Sequence, residues 1–209
     1  MALSKFERTR GKHCGSTDPH SAGNGSIMRL APVPMFFRSD PKEVSGKSGL
    51  SSCTTHQAKT AIDGCRYLGT LIAGALNHVE KEELLTNRYH PISSFWSDHP
   101  LCSEIDETAM GSFKRKNPPV IKGTGYVVKS LEAALWAFHN SETFEEGALM
   151  AVNLGDDADT TGAVYGQIAG AYYGLQSIPE KWVDNIIMHE LIETFAEELL
   201  KLSAAFPSR

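Results

Sequence analysis

Oxygen-bearing side chains are concentrated in residues 156–161. They comprise three carboxylates and two hydroxyls: Asp156, Asp157, Asp159, Thr160 and Thr161. Hard oxygen ligands at this density are what Mg²⁺ and Ca²⁺ prefer. In a turn that enters a helix, Asp157 and Asp159 can converge on one cation, and the Thr160 hydroxyl can add a neutral oxygen. The sequence therefore predicts a metal site at the start of a helix.

A structural role competes for the same residues. Asp156, Asp157 or Thr160 would serve as a helix N-cap, since their oxygens accept hydrogen bonds from the first backbone N–H groups and negative charge is favourable there. Three acids so close together repel each other, which is more charge than a cap needs, and a cation would offset the repulsion. An EF-hand is excluded, because the segment lacks the glycine at the sixth loop position and the glutamate at the twelfth.

A second polar segment, residues 11–26, ends in the glycine-rich run 23–26. Such loops let backbone N–H groups approach a ligand closely, although a long surface loop would have the same composition. The nearly apolar residues 27–37 follow at once, so the loop is mounted on a buried segment. Arg29 is the lone charge in that run, and we expect it to pair with a carboxylate or an anionic ligand.

In the rest of the chain, apolar residues recur at helical spacing, so helices are predicted to position these residues. Residues 51–77 are predicted to form one long helix, preceded by a turn at 40–50 and with His56 near its start. Its possible N-caps are Ser51, Ser52, Thr54 and Thr55. Further helices are expected at residues 79–87, 101–110, 127–139, 142–153 and 186–202, with the end of another at 1–10. Since no strand pattern of useful length occurs, residues 1–209 are predicted to form one all-α domain.

The helix after the acidic segment carries glycine at every fourth position from Gly162 to Gly174. Each glycine costs roughly 0.5–1 kcal/mol in a helix interior. A glycine stripe on one face indicates that a ligand or, more simply, another helix comes close to it.

The bulk composition narrows the class of protein. The net charge of −5 provides no cationic excess for nucleic acid or an anionic membrane. No apolar run reaches the roughly 18 residues of a membrane span, and residues 1–10 lack the apolar region of a signal peptide. Cys53 and Cys65 are expected on one helix and too far apart to bridge, and no cysteine pair has zinc-site spacing. Free thiols and a cytoplasmic location are predicted.

Four motifs in this order resemble the ADP-ribosylglycohydrolase family, the group that includes the dinitrogenase reductase-activating glycohydrolase. They are Gly23-Asn24-Gly25-Ser26-Ile27-Met28-Arg29, Thr55-His56, Gly123-Thr124-Gly125-Tyr126-Val127-Val128, and Gly155-Asp156-Asp157-Ala158-Asp159-Thr160 with the Gly-x-x-x-Gly helix behind it. Any one of these motifs would be weak alone, but four in the family's order make the resemblance specific.

The resemblance implies an orthogonal helical bundle that holds a pair of Mg²⁺ ions and hydrolyses ADP-ribose linkages. The implied partner is ADP-ribose or an ADP-ribosylated protein. Asp157, Asp159 and Thr160 are implied as metal ligands. The implied substrate-binding residues are Gly23, Asn24, Gly25, Ser26, Met28, His56 and Tyr126.

The sequence departs from the family pattern at its N-terminal side. Family members carry a further N-terminal region with an acidic Thr-Asp-Asp segment, which supplies the rest of the metal shell and the carboxylate that activates water. We therefore expect residues 1–209 to be the C-terminal part of such a domain, lacking the N-terminal helices, as a fragment, a truncated gene product or a diverged member. The catalytic residue is then not assigned, and weak metal binding and little hydrolase activity are expected, because affinity follows the ligand count.

Three functions compete at this point. The first is a Mg²⁺-dependent ADP-ribosyl hydrolase. The second is a non-catalytic binder of ADP-ribose or a nucleotide, since the predicted phosphate-cradling loop is complete. The third is a structural or interaction protein that has kept the fold without its chemistry.

Overall fold

The computed structural model describes residues 2–205, and these form an all-α bundle. Four 3-10 helices, at Pro19–Ser21, Asn24–Arg29, Ser112–Arg115 and Leu175–Ser177, lie between the α-helices. In chain order the α-helices are α1 (Ala2–Thr9), α2 (Pro32–Phe37), α3 (Pro41–Cys53), α4 (Lys59–Leu76), α5 (Lys81–Leu84), α6 (Phe95–Asp98), α7 (Ser103–Ala109), α8 (Val127–His139), α9 (Phe144–Val152), α10 (Ala158–Tyr173), α11 (Glu180–Val183) and α12 (His189–Ala205).

The core forms around α4, α8 and α10. Both α4 and α8 are buried over most of their length, because their apolar side chains cover more than one face. Helix α10 packs against both of them and against α9. The glycine turn lies directly before α8, and the acidic segment lies at the start of α10. Because these two helices belong to the core, they hold both segments in place.

The prediction of one long helix at residues 51–77 is wrong for the first part of that range. Helix α3 begins at Pro41, because Asp40 accepts hydrogen bonds from the N–H groups of Lys42 and Glu43. It ends at Cys53, so the predicted turn at 40–50 is helical. Residues 54–58 then leave the helix, and α4 begins after Ala58 without a side-chain cap. The cysteines at 53 and 65 therefore lie on different helices, although all four cysteines are free as predicted.

Other predicted helices are confirmed with small changes at their ends. The structure places α8 at 127–139 as predicted and α9 at 144–152, where Thr143 caps the helix by accepting from the N–H of Glu146. Helix α12 begins at His189, three residues later than predicted. Within residues 2–205, no helix is long and apolar enough to cross a membrane.

The glycine stripe of α10 makes a close contact only at its first position. A Cβ at Gly162 would lie 2.9 Å from Val152 Cγ1 of α9. Within the described residues, no atom lies within 4 Å of a Cβ placed at Gly166, Gly170 or Gly174. The predicted close approach of another helix along the whole stripe is therefore wrong for these residues, and this face of α10 is open.

Candidate active site

The glycine loop at residues 23–29 is bound to the turn before α8 by backbone hydrogen bonds. The N–H of Asn24 donates to the carbonyl of Gly125 at 3.0 Å, and the N–H of Val127 donates to the carbonyl of Ala22 at 3.0 Å. Gly23 and Tyr126 form an isolated antiparallel bridge. Two of the motifs, about a hundred residues apart, thus form one backbone unit.

The side chain of Asn24 connects this unit to the acidic segment. Its Nδ2 donates to Asp157 Oδ2 at 2.6 Å, and only 7% of the residue is exposed. The N–H of Asp157 donates in turn to the carbonyl of Gly123 at 2.8 Å. Because Asn24 is buried and charge-assisted hydrogen bonds are strong, this contact fixes the Asp157 carboxylate beside the glycine loop.

The acidic segment forms a tight turn before α10. Gly155 and Asp156 both have left-handed backbone angles, with φ of 73° and 56°. Asp157 occupies the N-cap position, but its side chain accepts no hydrogen bond from the helix, and Asp159 follows in the first turn. The capping function that competed with ligand binding is thus not performed by Asp157, whose carboxylate faces Asn24 instead.

Three of these side chains carry oxygen atoms of the type that ligates hard cations. Asp157 and Asp159 offer carboxylates, and the Thr160 hydroxyl has only a long contact of 3.9 Å to Met28 Sδ. Oxygen donors of this type suit Mg²⁺. Within residues 2–205, no cluster of three or more His, Cys, Asp or Glu side chains is arranged to hold a metal ion.

His56 lies against the glycine loop, in the segment between α3 and α4. A Cβ at Gly25 would approach His56 Cε1 to 2.9 Å, and one at Gly23 would approach Nε2 to 3.3 Å. The segment is held by a backbone bridge to Ser16, in which the N–H of Gln57 donates to the Ser16 carbonyl at 2.9 Å. The missing side chains at Gly23 and Gly25 thus provide the space that the imidazole needs.

A polar chain orients the imidazole. Arg29 Nη2 donates to Thr55 Oγ1 at 2.7 Å, and this oxygen lies 2.8 Å from His56 Nδ1. This contact holds the ring in place through Nδ1 in either tautomer of the imidazole. Burial, and then the charge of Arg29, lower the pKa of His56. The lowered pKa favours the neutral imidazole near pH 7, and its Nε2 edge lies against the glycine loop.

Within residues 2–205, Arg29 forms no ion pair with a carboxylate, which was one of its two predicted kinds of partner. It is exposed, and it donates to the hydroxyls of Thr54 and Thr55. These neutral acceptors leave its charge uncompensated. An anionic ligand remains the predicted partner of this guanidinium.

The remaining predicted residues surround the same loop. Met28 and Tyr126 are partly exposed beside it, with 44% and 38% of their surface accessible. Ser26 is fully buried beneath the loop.

Gln167 was not predicted as a site residue, and it holds the loop from the side of α10. Its Oε1 accepts from the N–H of Ala31 at 2.7 Å, and its Nε2 donates to the carbonyl of Ile27 at 2.9 Å. Gln167 is a polar residue in a helix of small and apolar residues, and this was the only signal in the sequence that it had a specific partner.

This helical bundle, with a glycine loop joined to an acidic helix start, has the architecture of an ADP-ribose hydrolase domain. The family model for ADP-ribosylglycohydrolase matches residues 1–207. The chain belongs to the ADP-ribosylglycohydrolase family.

Known proteins resemble the chain over most of its length. It is 34% identical over 204 residues to the ADP-ribosylarginine hydrolase Tri1 of Serratia proteamaculans, covering 97% of this chain and 53% of that protein. It is 40% identical over 185 residues to the ADP-ribosylarginine hydrolase Tri1 of Pseudomonas putida, covering 88% and 47%. A solved structure, described as an ADP-ribosylglycohydrolase-related protein complex, superimposes with a TM-score of 0.86 at 38% identity, covering 97% of this chain and 67% of that one. The chain thus spans about half the length of these two sequence relatives.

Proposed function

We propose that the protein hydrolyses an ADP-ribose linkage on the side chain of a protein, with arginine as the linked residue. Two relatives that are 34% and 40% identical to it are named ADP-ribosylarginine hydrolases. The observation that carries the proposal is the hydrogen bond between Asn24 and Asp157. Because it joins the glycine loop to the acidic turn, one ligand can contact a phosphate-binding loop and the metal-ligating carboxylates together.

The glycine loop is the part of the site that binds ADP-ribose in this proposal. The backbone of Gly23, Asn24, Gly25 and Ser26 approaches the distal ribose and diphosphate, as glycine-rich loops do with anions. His56 contributes its Nε2 edge, and Arg29 adds its uncompensated charge. Met28 and Tyr126 form the exposed border of the cleft.

The acidic turn is the part of the site that binds metal in this proposal. Asp157, Asp159 and Thr160 would hold Mg²⁺, a pair of ions in the family. When bound, the metal supplies a Lewis acid that orients ribose hydroxyls and water. Asn24 holds one carboxylate oxygen of Asp157 in place, which leaves the other oxygen to face the cleft. The group that activates water is not assigned, and a cytoplasmic location remains a prediction.

Titration calorimetry with ADP-ribose, with and without Mg²⁺, tests this assignment. We expect ADP-ribose to bind, and to bind more tightly when Mg²⁺ is present. Asp157→Asn should remove the Mg²⁺ dependence, whereas Asp184→Asn, at an exposed aspartate after α11, should leave it unchanged. An absence of binding heat in both conditions would refute the proposal.

A non-catalytic ADP-ribose binder is the second candidate. One observation favours it: the binding loop is complete within residues 2–205, whereas those residues hold no cluster of three metal-ligating acids or histidines. Release of ADP-ribose from an arginine-modified peptide, followed by mass spectrometry, separates the two functions. Release that Asp157→Asn abolishes supports the hydrolase, and tight binding without release supports the binder.

A further inference from the structure

An apolar groove lies beside the acidic turn and takes no part in the site described above. It has a volume of about 680 Å³. One wall is the loop before α8 and the other is α9 with the residues that follow it. Its apolar lining includes Pro118, Pro119, Ile121, Trp136, Leu149 and Leu154.

The groove and the ADP-ribose cleft lie on opposite sides of the same two segments of backbone. Asp156 lines the groove, while the next residue, Asp157, faces Asn24 in the cleft. On the opposite segment, Lys122 lines the groove, and its neighbour Gly123 accepts the hydrogen bond from the N–H of Asp157. Since consecutive Cα atoms are about 3.8 Å apart, a molecule bound in the cleft at Asp157 lies within one side-chain length of the groove.

The charges at the groove favour a cation. Glu146 and Asp156 provide two carboxylates, and Lys122 provides one ammonium. Asp156 is exposed and makes no hydrogen bond or ion pair with any residue between 2 and 205. A peptide with an arginine next to an apolar residue complements this surface. Its basic group can approach the unpaired carboxylate while its apolar side chain contacts the groove.

We infer that the groove binds the acceptor protein, taking an apolar side chain next to the ADP-ribosylated arginine while Asp156 faces the guanidinium. This inference rests on the proposed function, because it needs the ADP-ribose in the adjoining cleft. Leu149, which is 44% exposed on α9, is the side chain that the acceptor would cover. The groove would then make the protein select apolar neighbours of the modified arginine.

Two synthetic peptides test the inference, each with one ADP-ribosylated arginine flanked either by leucines or by glycines. Fluorescence anisotropy gives their dissociation constants, and mass spectrometry confirms that the peptides remain intact. We expect the leucine peptide to bind about tenfold more tightly, as one buried leucine side chain implies. Leu149→Gln should bring the two constants within about twofold of each other while free ADP-ribose binds as before.

Matched variants define the outcomes. Val152→Gln, at an exposed aliphatic residue of α9 outside the groove, should keep the preference. Asp156→Asn should weaken the arginine-linked peptide severalfold without changing the affinity for free ADP-ribose. Equal binding of the two peptides by the unaltered protein would overturn the inference, as would a preference that survives Leu149→Gln. A dimer that Leu149→Gln dissociates would overturn it too, because a second copy would then occupy the groove.

The failure of the proposed function gives a different result. In that case free ADP-ribose does not bind at all. The leucine-flanked arginine peptide without ADP-ribose then tests the groove alone. Equal binding of that peptide by the unaltered protein and by Leu149→Gln would show that the groove does not bind leucine side chains.

Discussion

At the scale of single residues, the site depends on polar side chains that orient one another. Asn24 holds Asp157, and the chain from Arg29 through Thr55 orients His56. The motifs predicted Asn24, Asp157 and His56 as site residues, and the structure brings all three to the glycine loop. The function of Thr55 was not visible, since a hydroxyl becomes specific only through the two partners that the fold brings to it.

Replacing Arg29 by glutamine should change two properties of the site together. The affinity for ADP-ribose should fall about three- to tenfold, because a charged donor facing the diphosphate is lost. The pKa of His56 should rise, since the charge of Arg29 contributes to its lowered value. Calorimetry measures the first effect and an NMR titration of His56 the second. Arg115→Gln, at an exposed arginine of the 3-10 helix 112–115, is the control, and a His56 pKa that stays unchanged would contradict the orientation described here.

At the scale of elements, helices with one strong apolar pattern were predicted well and interruptions were not. Helix α8 matches its prediction because its apolar stripe runs unbroken between a glycine turn and Asn140. The break at residues 54–58 was missed, because its cause is a tertiary contact with Ser16. The function of the α10 glycines was also misjudged, since the number of glycines in a stripe does not show what packs against it.

Gly15 should be essential for the position of the His56 segment. A Cβ at this residue would lie 2.5 Å from the backbone nitrogen of His56 and 2.6 Å from the carbonyl carbon of Thr55, and backbone cannot move aside as a flexible side chain can. We expect Gly15→Ala to lower both the melting temperature and the affinity for ADP-ribose. Gly46→Ala is the matched control, because no atom lies within 4 Å of its Cβ position within α3. It should stabilise the protein by about 0.5–1 kcal/mol, and equal melting temperatures for the two variants would refute the prediction.

Asp63 should stabilise α4 through two ion pairs within the helix, and it also contacts the residue before α7. Its buried carboxylate pairs with Lys59 at 2.7 Å and Arg66 at 2.8 Å, and it accepts from the N–H of Cys102 at 2.8 Å. Asp63→Asn removes the charge while keeping the size, so Arg66 loses its only ion-pair partner within residues 2–205. We expect a loss of about 3 kcal/mol, as when one partner of a buried pair is removed.

The same substitution at Asp106 is the control for Asp63. Asp106 pairs with Arg88 at 2.6 Å, but the side chains of both residues are substantially exposed. Exposed pairs contribute about 1 kcal/mol or less, so Asp106→Asn should cost far less stability. Denaturant unfolding of the two variants gives the comparison, and equal losses would show that the Asp63 pairs act as surface pairs.

At the scale of the whole molecule, the site exists only because segments distant in sequence converge. Residues 22–29, 123–127 and 155–160 meet through backbone and side-chain hydrogen bonds, and residues 54–57 close the loop from another side. Motifs indicated that these segments belong together, since each carries its own chemical signature. The groove was not predicted, because its lining is ordinary apolar sequence whose exposure is decided only by how α9 and the 117–122 loop pack.

Acid stability is a property of the whole molecule that one half-buried histidine, His90, should dominate. The ring of His90 stacks on Phe95 with centroids 3.8 Å apart, and its Nδ1 accepts from the N–H of Ile92 at 3.0 Å. Its Nε2 is buried without a hydrogen-bond partner within residues 2–205. Burial lowers the pKa of His90 from 6.5 to about 4. The folded state therefore takes up this proton at lower pH than the unfolded chain does.

The sign of the effect follows from linkage. Between pH 6.5 and about 4, the unfolded state binds more protons at His90, so the free energy of unfolding should fall as the pH is lowered through this range. His56 and His139, whose pKa values are also lowered, add to the same slope.

The carboxylate of Glu132 contributes to the pH dependence at lower pH than the histidines do. Burial opposes its ionisation, but its hydrogen bonds with Lys116, Ser112 and Lys129 lower its pKa below 4.5, so its contribution is lost only in more acidic solution.

Substitution of His90 by asparagine should flatten this dependence. The asparagine carbonyl can still accept from the N–H of Ile92, but it does not titrate, so the variant should lose less stability than the unaltered protein between pH 6.5 and 4.5. Urea unfolding at half-unit steps of pH measures the slope. His20→Asn, at an exposed histidine in the 3-10 helix 19–21, should keep the original slope. If His90→Asn keeps it as well, the acid sensitivity arises from other groups and the prediction for His90 is refuted.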